Sequence, residues 1–191
     1  MNGLLFIRHA QTDMAGTFCG HSNPPINEDG RLQVRELIAR LATEHFETIY
    51  SSDLHRAVET ADVLADAFAV PVVTRPALRE IYFGEWEGLR WNEIEQRDPA
   101  YARRWIEAFP ALAALGGESF AAFERRVIDE VDHLLGLAEN NRIAVVTHGG
   151  VMRVVLRSFL GFSEQEAWDK TKSYCCTFDC DLVGGRQTVM L

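Results

Sequence analysis

Lysine is nearly missing from this chain: Lys170 and Lys172 are the only two, and every other cation except histidine is an arginine. Guanidinium groups suit bidentate binding of phosphate and carboxylate, but genome composition produces the same bias, so the excess identifies nothing by itself. Positive charge is outnumbered, with 19 lysines and arginines against 28 acidic residues. A formal net charge of -9 at pH 7 excludes a broad basic face for a nucleic-acid backbone or an anionic membrane. An anionic ligand has to be met by local charge.

Long apolar runs are lacking too. No stretch approaches the roughly 18 apolar residues of a spanning helix, and no positively charged leader precedes an apolar segment, so the protein is expected to be cytoplasmic with no membrane partner. Cys19, Cys175, Cys176 and Cys180 show no C-x-x-C pairing and do not form a secreted disulfide framework; reduced, packed thiols are expected. No internal repeat, low-complexity tract or flexible linker interrupts the 191 residues. With 47% hydrophobic content the chain can bury a core, and residues 1–191 read as one domain.

What is present is an alternation of short apolar runs and helical patterns. Leu4 to Ile7, Thr48 to Tyr50, Val70 to Val73 and Ile143 to Val146 read as strands, the first and last buried on both faces. Helices are expected from Asn27 to about Glu44, Leu54 to Phe68, Ser119 to Leu137, Val151 to Leu160 and Ser163 to Lys172. Residues 174–183 and 187–191, separated by Gly184 and Gly185, suggest a terminal hairpin. The pattern is that of an α/β fold with a mostly parallel central sheet, and the Trp-, Arg- and Ala-rich stretch 85–115 reads as a helical excursion.

Two of the buried strands run into histidines: LLFI into Arg8 and His9, and IAVV, through Thr147, into His148. In open α/β sheets ligands bind beyond the carboxyl ends of the strands, so both imidazoles can reach one ligand there. Gly149 and Gly150 open the next helix, where free N–H groups and the helix dipole favour an anion. Taken singly, each histidine also reads as a polar cap, Arg56 as a solvated arginine and Glu80 as a surface ion-pair member. Trp86, Trp91, Tyr101 and Trp105 read as core or as a platform for a ligand ring. Cys180 and Arg186 have the C-x5-R spacing of cysteine phosphatases, yet CDLVGGR has a strand pattern and an acidic neighbour instead of a loop opening a helix.

Four blocks, LLFIRHAQTD, SSDLHRAVETA, LREIYFGEWEG and VVTHGGVMRVVL, resemble in order and spacing the histidine phosphatase superfamily, the fold group of cofactor-dependent phosphoglycerate mutases and related phosphatases. PPINEDGRLQV resembles that family's first helix entry, and the similarity runs from about residue 3 to 160. The resemblance implies a three-layer α/β sandwich with helices on both faces of the sheet. It makes His9 the nucleophile and Glu80 the proton donor and acceptor, with Arg8, Arg56, His148 and the Gly149 N–H around a phosphoryl group. It implies no metal and no cofactor, and a small phosphorylated metabolite as the partner. Gln11, Thr12 and Gly20 fall where the family contacts substrate.

The match departs from the family's R-H-G-x-T-x-x-N at Ala10 and Ala15, and Ala15 has no side-chain hydrogen bond to offer. SYCCTFD replaces the family's small polar N-x-S, so Tyr174 and the cysteines beside it receive no role. The span from Gly88 to His148 is short of the insertions with which the mutases enclose a bisphosphate, which favours a phosphatase over a mutase. Length and the FGEWEG and PPINEDG stretches are most similar to the α-ribazole phosphatases. A non-catalytic phosphate-binding module is the remaining alternative; the presence of all the reacting residue types argues against it.

Overall fold

The structure is a computed structural model that describes residues 2–183 and 186–188, with the backbone alone described for 181–183 and 186–188. In chain order the strands are β1 (Gly3–Arg8), β2 (Thr48–Ser51), β3 (Val72–Thr74), β4 (Arg142–Thr147), β5 (Thr177–Val183) and β6 (Arg186–Thr188). The α-helices are α1 (Glu28–Arg40), α2 (His55–Phe68), α3 (Trp91–Arg97), α4 (Pro99–Ala108), α5 (Phe120–Ala138), α6 (Gly149–Ser158) and α7 (Glu164–Thr171). The strand order is β3-β2-β4-β1-β5-β6. The first four are parallel neighbours, while β5 runs antiparallel to β1 and β6 antiparallel to β5. The mostly parallel α/β sheet read from the sequence is thus the observed one.

Both central strands are apolar at every inner position because each has two cores to fill. Leu4, Phe6, Ile143 and Val145 pack with α5 and α6 on one face, and Leu5, Ile7, Ala144 and Val146 pack with α1 and α2 on the other. This is the three-layer arrangement. The excursion holds α3 and α4 and carries a small cluster of its own around Trp86, Ile94, Ala102 and Ala114.

Several element ends differ from the sequence reading, each for a local reason. α6 begins at Gly149, two residues earlier than the first apolar periodic residue, because His148 is its N-cap and the two glycines form its first turn. α1 stops at Arg40, where Leu41 caps it. The third strand is Val72–Thr74 instead of Val70–Val73, since Ala69 turns left-handed (φ 55°) to close α2. Residues 174–176 are not strand: Cys175 has φ 53°, and β5 starts at Thr177. Of the expected hairpin, residues 184–185 and 189–191 lie outside the described residues. Among the described residues, no helix is long and apolar enough to cross a membrane.

The register of the parallel strands decides what meets at the sheet's carboxyl edge. β1 and β4 pair from Gly3 opposite Arg142 to Arg8 opposite Thr147, so His9 and His148 leave adjacent strands at the same level. β2 pairs with β4 up to Ser51 opposite Val146, which brings Ser52 there as well. The edge is sewn together by His9 N–H to Thr147 O at 2.9 Å and Ser52 N–H to Val146 O at 3.0 Å.

Candidate active site

His9 lies on this edge, 6% exposed. Its Nδ1 is 2.7 Å from the Ala10 carbonyl oxygen. A carbonyl only accepts, so Nδ1 carries the ring proton and Nε2 keeps its lone pair. The Arg56 Nε–H donates to that Nε2 at 3.2 Å. Burial first, then the Arg56 and Arg8 charges, hold the His9 pKa well below the usual histidine value. The imidazole is therefore neutral at neutral pH, with its unprotonated nitrogen defined as Nε2.

Arg56 comes from the first turn of α2 and is almost wholly buried. Besides meeting His9 it donates to the Ser22 and Gly20 carbonyls, both at 2.7 Å, so one guanidinium ties the loop after β1 to the histidine. Gly20 has φ +45°, and a Cβ there would collide with the Glu87 carboxylate. That carboxylate accepts from the His21 N–H and the Ser22 hydroxyl. Arg8 is held from the other side. It donates to the Thr171 and Lys172 carbonyls at the end of α7, at 2.9 and 2.6 Å, and its guanidinium lies 4.3 Å from the centre of the Tyr174 ring. Its enclosed Nε has no partner.

Glu80 follows the short 3-10 turn Pro76–Leu78. Its carboxylate accepts from Gly150 N–H at 2.9 Å and Ile81 N–H at 3.0 Å, which fixes it over the first turn of α6. Its own carbonyl accepts from Arg126 at 3.0 Å and pairs with the His21 ring at 2.9 Å. His148 is fully buried, its ring centre 5.0 Å from that of His9 and its Nε2 2.8 Å from the Ser52 hydroxyl. Burial, followed by the charges of Arg56, His9 and Arg8, lowers its pKa well below the usual value.

A cavity of about 860 Å³ is lined by Arg8, His9, Arg56, Glu80, Gly149 and Gly150. Its size is that of a pocket for a small organic molecule. Away from this floor the wall carries the aromatic rings of Phe18, Trp91, Trp105, Phe109 and Phe120 on one part and charged side chains, among them Glu124, Arg157 and Glu164, on another. Thr12 and Gly20 line it, whereas Gln11 does not; the Gln11 side chain donates to Asp29 on α1 at 3.2 Å. Trp86 is buried in the excursion's own cluster, and Tyr101 donates its hydroxyl to the Ala113 carbonyl. Cys180 is a buried position on β5, opposite Leu4. A strand interior is no cradle for phosphate, so the C-x5-R reading gains no support. Among the described residues no group of three His, Cys, Asp or Glu side chains is arranged to hold a metal.

Several residues of the site carry no local signal in the sequence. His21, Arg126 and Tyr174 come to it from separate elements, and Ser52, although inside the SSDLHRAVETA block, gives no sign there of its contact with His148. Arg153 is different, since it stands three and four residues after Gly150 and Gly149 on α6. That spacing puts it on the cavity face of the helix, where it lines the cavity with its guanidinium 4.8 Å from the Trp168 ring centre.

The family model for the histidine phosphatase superfamily (branch 1) matches residues 4–191. Phosphoserine phosphatase 1 of Hydrogenobacter thermophilus is 31% identical over 180 residues, covering 93% of this chain and 82% of that one. The adenosylcobalamin/alpha-ribazole phosphatase of Salmonella typhimurium is 28% identical over 188 residues, covering 97% and 93%. The solved alpha-ribazole phosphatase of Shigella flexneri superposes with a TM-score of 0.89 at 26% identity, covering 98% of this chain and 94% of that one. The chain belongs to branch 1 of the histidine phosphatase superfamily.

Proposed function

We propose that this protein is a phosphomonoesterase that works through a phosphohistidine on a small phosphorylated metabolite, without a metal ion. The observation that carries the reading is the state of His9, which lines the cavity: its Nδ1–H donates to the Ala10 carbonyl, its unprotonated Nε2 meets the Arg56 Nε–H, and burial lowers its pKa. Nε2 attacks phosphorus in line, the P–O ester bond breaks, and the leaving alkoxide takes a proton from the Glu80 carboxylic acid. Water then gives a proton to the Glu80 carboxylate and attacks the phosphohistidine. The P–N bond breaks and neutral His9 returns as inorganic phosphate leaves.

Arg8, Arg56 and Gly149 line the cavity with His9, and the buried His148 ring lies 5.0 Å from that of His9 without lining the cavity itself; this grouping supports a phosphoryl group held by two guanidinium groups, an imidazole and the Gly149 N–H. Fixed charges and dipoles of this kind stabilise the spread charge of phosphoryl transfer without reorganising. These groups supply the electrostatic work that a cation does elsewhere, which supports a metal-independent reaction.

The finer reading is that the ester is α-ribazole 5′-phosphate, which would place the enzyme in cobalamin synthesis. Its support is the aromatic part of the cavity wall, which suits a flat ring on the leaving group better than a serine, and the ribazole-acting relatives.

The test is phosphate release by wild type and His9→Ala, with chelator present, over α-ribazole 5′-phosphate, O-phosphoserine, 3-phosphoglycerate and p-nitrophenyl phosphate. Release that survives chelation and vanishes in His9→Ala, strongest on the ribazole ester, is expected. A preference for phosphoserine overturns the substrate assignment. Binding without release from any ester overturns the phosphatase reading, and transfer between phosphoglycerate positions replaces it with a mutase.

A further inference from the structure

We infer that Ser52 is a positioning residue for His148: its hydroxyl keeps the ring proton on Nδ1, so that His148 presents a donor to the phosphoryl group. This rests on the reading of His148 as a phosphoryl-binding residue and goes beyond it, by assigning the residue that sets its tautomer.

Counting protons around the pair gives the direction of the hydrogen bond. Ser52 Oγ and His148 Nε2 are 2.8 Å apart, and both residues are 0% exposed. The same oxygen already accepts the Leu54 N–H at 3.3 Å. If Nε2 held the ring proton, the oxygen would accept two N–H groups while its own proton found no acceptor in either contact. The Nδ1 lone pair would be unmatched as well, because Nδ1 is buried without a partner. If Nδ1 holds the proton, the hydroxyl donates to Nε2, the Leu54 N–H is still met, and one group alone is left over: the Nδ1–H. Unmade buried hydrogen bonds are costly, so the second arrangement is preferred.

The group left over is the one the chemistry asks for. With Nε2 occupied by Ser52, Nδ1 is the only ring nitrogen that His148 can offer to a group on His9, whose ring lies 5.0 Å away. Phosphoryl oxygens accept hydrogen bonds; facing them with a lone pair would repel. Burial and the neighbouring arginines keep the ring neutral, so its tautomer, not its charge, decides whether it donates. Ser52 is held for the task by strand register: its N–H bonds the Val146 carbonyl on β4, and its carbonyl accepts the Ser51 hydroxyl at 2.8 Å.

The experiment is long-range 1H–15N correlation NMR of histidine-labelled wild type and Ser52→Ala, with His148→Gln used to assign the signals. Turnover of p-nitrophenyl phosphate and vanadate affinity are measured on the same samples. Expected are an Nδ1–H pattern for His148 in wild type, an Nε2–H or mixed pattern in Ser52→Ala, weaker vanadate binding, and a kcat lower by about 10–100-fold. That is smaller than the roughly 10²–10³-fold loss from deleting a transition-state donor outright. An Nε2–H pattern in wild type overturns the inference, and so does Ser52→Ala with unchanged tautomer and kcat. Should Ser52→Ala not fold, the wild-type spectrum decides alone. Absence of turnover in wild type, with the Nδ1–H pattern intact, would fail the phosphatase reading and not the tautomer.

Discussion

Glu80 and Gly150 fit each other only while residue 150 has no side chain. The Gly150 N–H holds the Glu80 carboxylate at 2.9 Å, and a Cβ on residue 150 would collide with that same carboxylate. At Gly149, one residue earlier, a Cβ would meet Arg8 at 3.6 Å, an ordinary contact.

Gly150→Ala is therefore expected to displace the proposed acid and lower kcat about 10²-fold, the scale of a 1 Å misplacement in an active site. Alkyl phosphates, with poor leaving groups, should suffer more than p-nitrophenyl phosphate. Gly149→Ala should keep most activity and melt no lower than wild type, since alanine is the better helix former. Equal losses in the two variants, measured by steady-state kinetics on both esters, would show that the clash at residue 150 does not matter.

His9 and His148 predict a pH dependence of stability. Each is buried with a pKa lowered below the usual 6.5. Above pH 6.5 both folded and unfolded forms are neutral there, so nothing is contributed. Below it the unfolded chain binds protons that the folded chain refuses, so stability falls as pH drops from 6.5 toward the folded values. The loss approaches about 1.4 kcal/mol per pH unit for each histidine. Urea unfolding at pH 7 and pH 5 should show a loss up to about 2 kcal/mol smaller in His148→Gln than in wild type. Parallel pH profiles would refute the assignment.

Arg126 is expected to matter to Glu80 without touching substrate. It pairs with both Glu118 oxygens at 2.8 and 2.9 Å and donates to the carbonyls of Ala77, Arg79 and Glu80 at 2.8–3.0 Å. Lysine cannot span this fork. Arg126→Lys should cost about 2–3 kcal/mol in unfolding free energy and lower kcat more than it changes KM. A variant that is less stable but keeps wild-type kcat would limit Arg126 to a structural part.

The tryptophans divide by position. Trp86 is 6% exposed inside the excursion's cluster, so Trp86→Ala should cost about 3–5 kcal/mol of stability. Trp91 lines the cavity, and Trp91→Ala should raise KM for ring-bearing esters severalfold, the value of one aromatic contact at about 0.5–1.5 kcal/mol. Glycerol phosphate, which has no ring, serves as the control substrate; an equal rise for it would count against stacking.

The amino-acid sequence by itself determined the local parts of this protein. Unbroken apolar runs at Leu4–Ile7 and Ile143–Val146 mark strands with a core on each side, because a strand polar on one face could not be covered twice. Asn27, Ser119 and Ser163 mark helix starts because their side chains satisfy the free N–H groups of the first turn. The blocks around His9, Arg56, Glu80 and His148 were legible because each is short and continuous. What brings those blocks to one edge of the sheet is the pairing of β2, β4 and β1 in register, a property of residues 95 positions apart for β2 with β4 and 139 for β1 with β4. The tautomer of His9, the carbonyl anchors of Arg8, the fork of Arg126 and the Ser52–His148 contact were decided there. They depend on distances and hydrogen-bond directions between separate elements, and no spacing along a single chain encodes those. Where α6 begins followed the same rule, since His148 caps it from the end of β4 and Glu80 leaves room only for glycine at 150, while the apolar periodicity starts only after the two glycines.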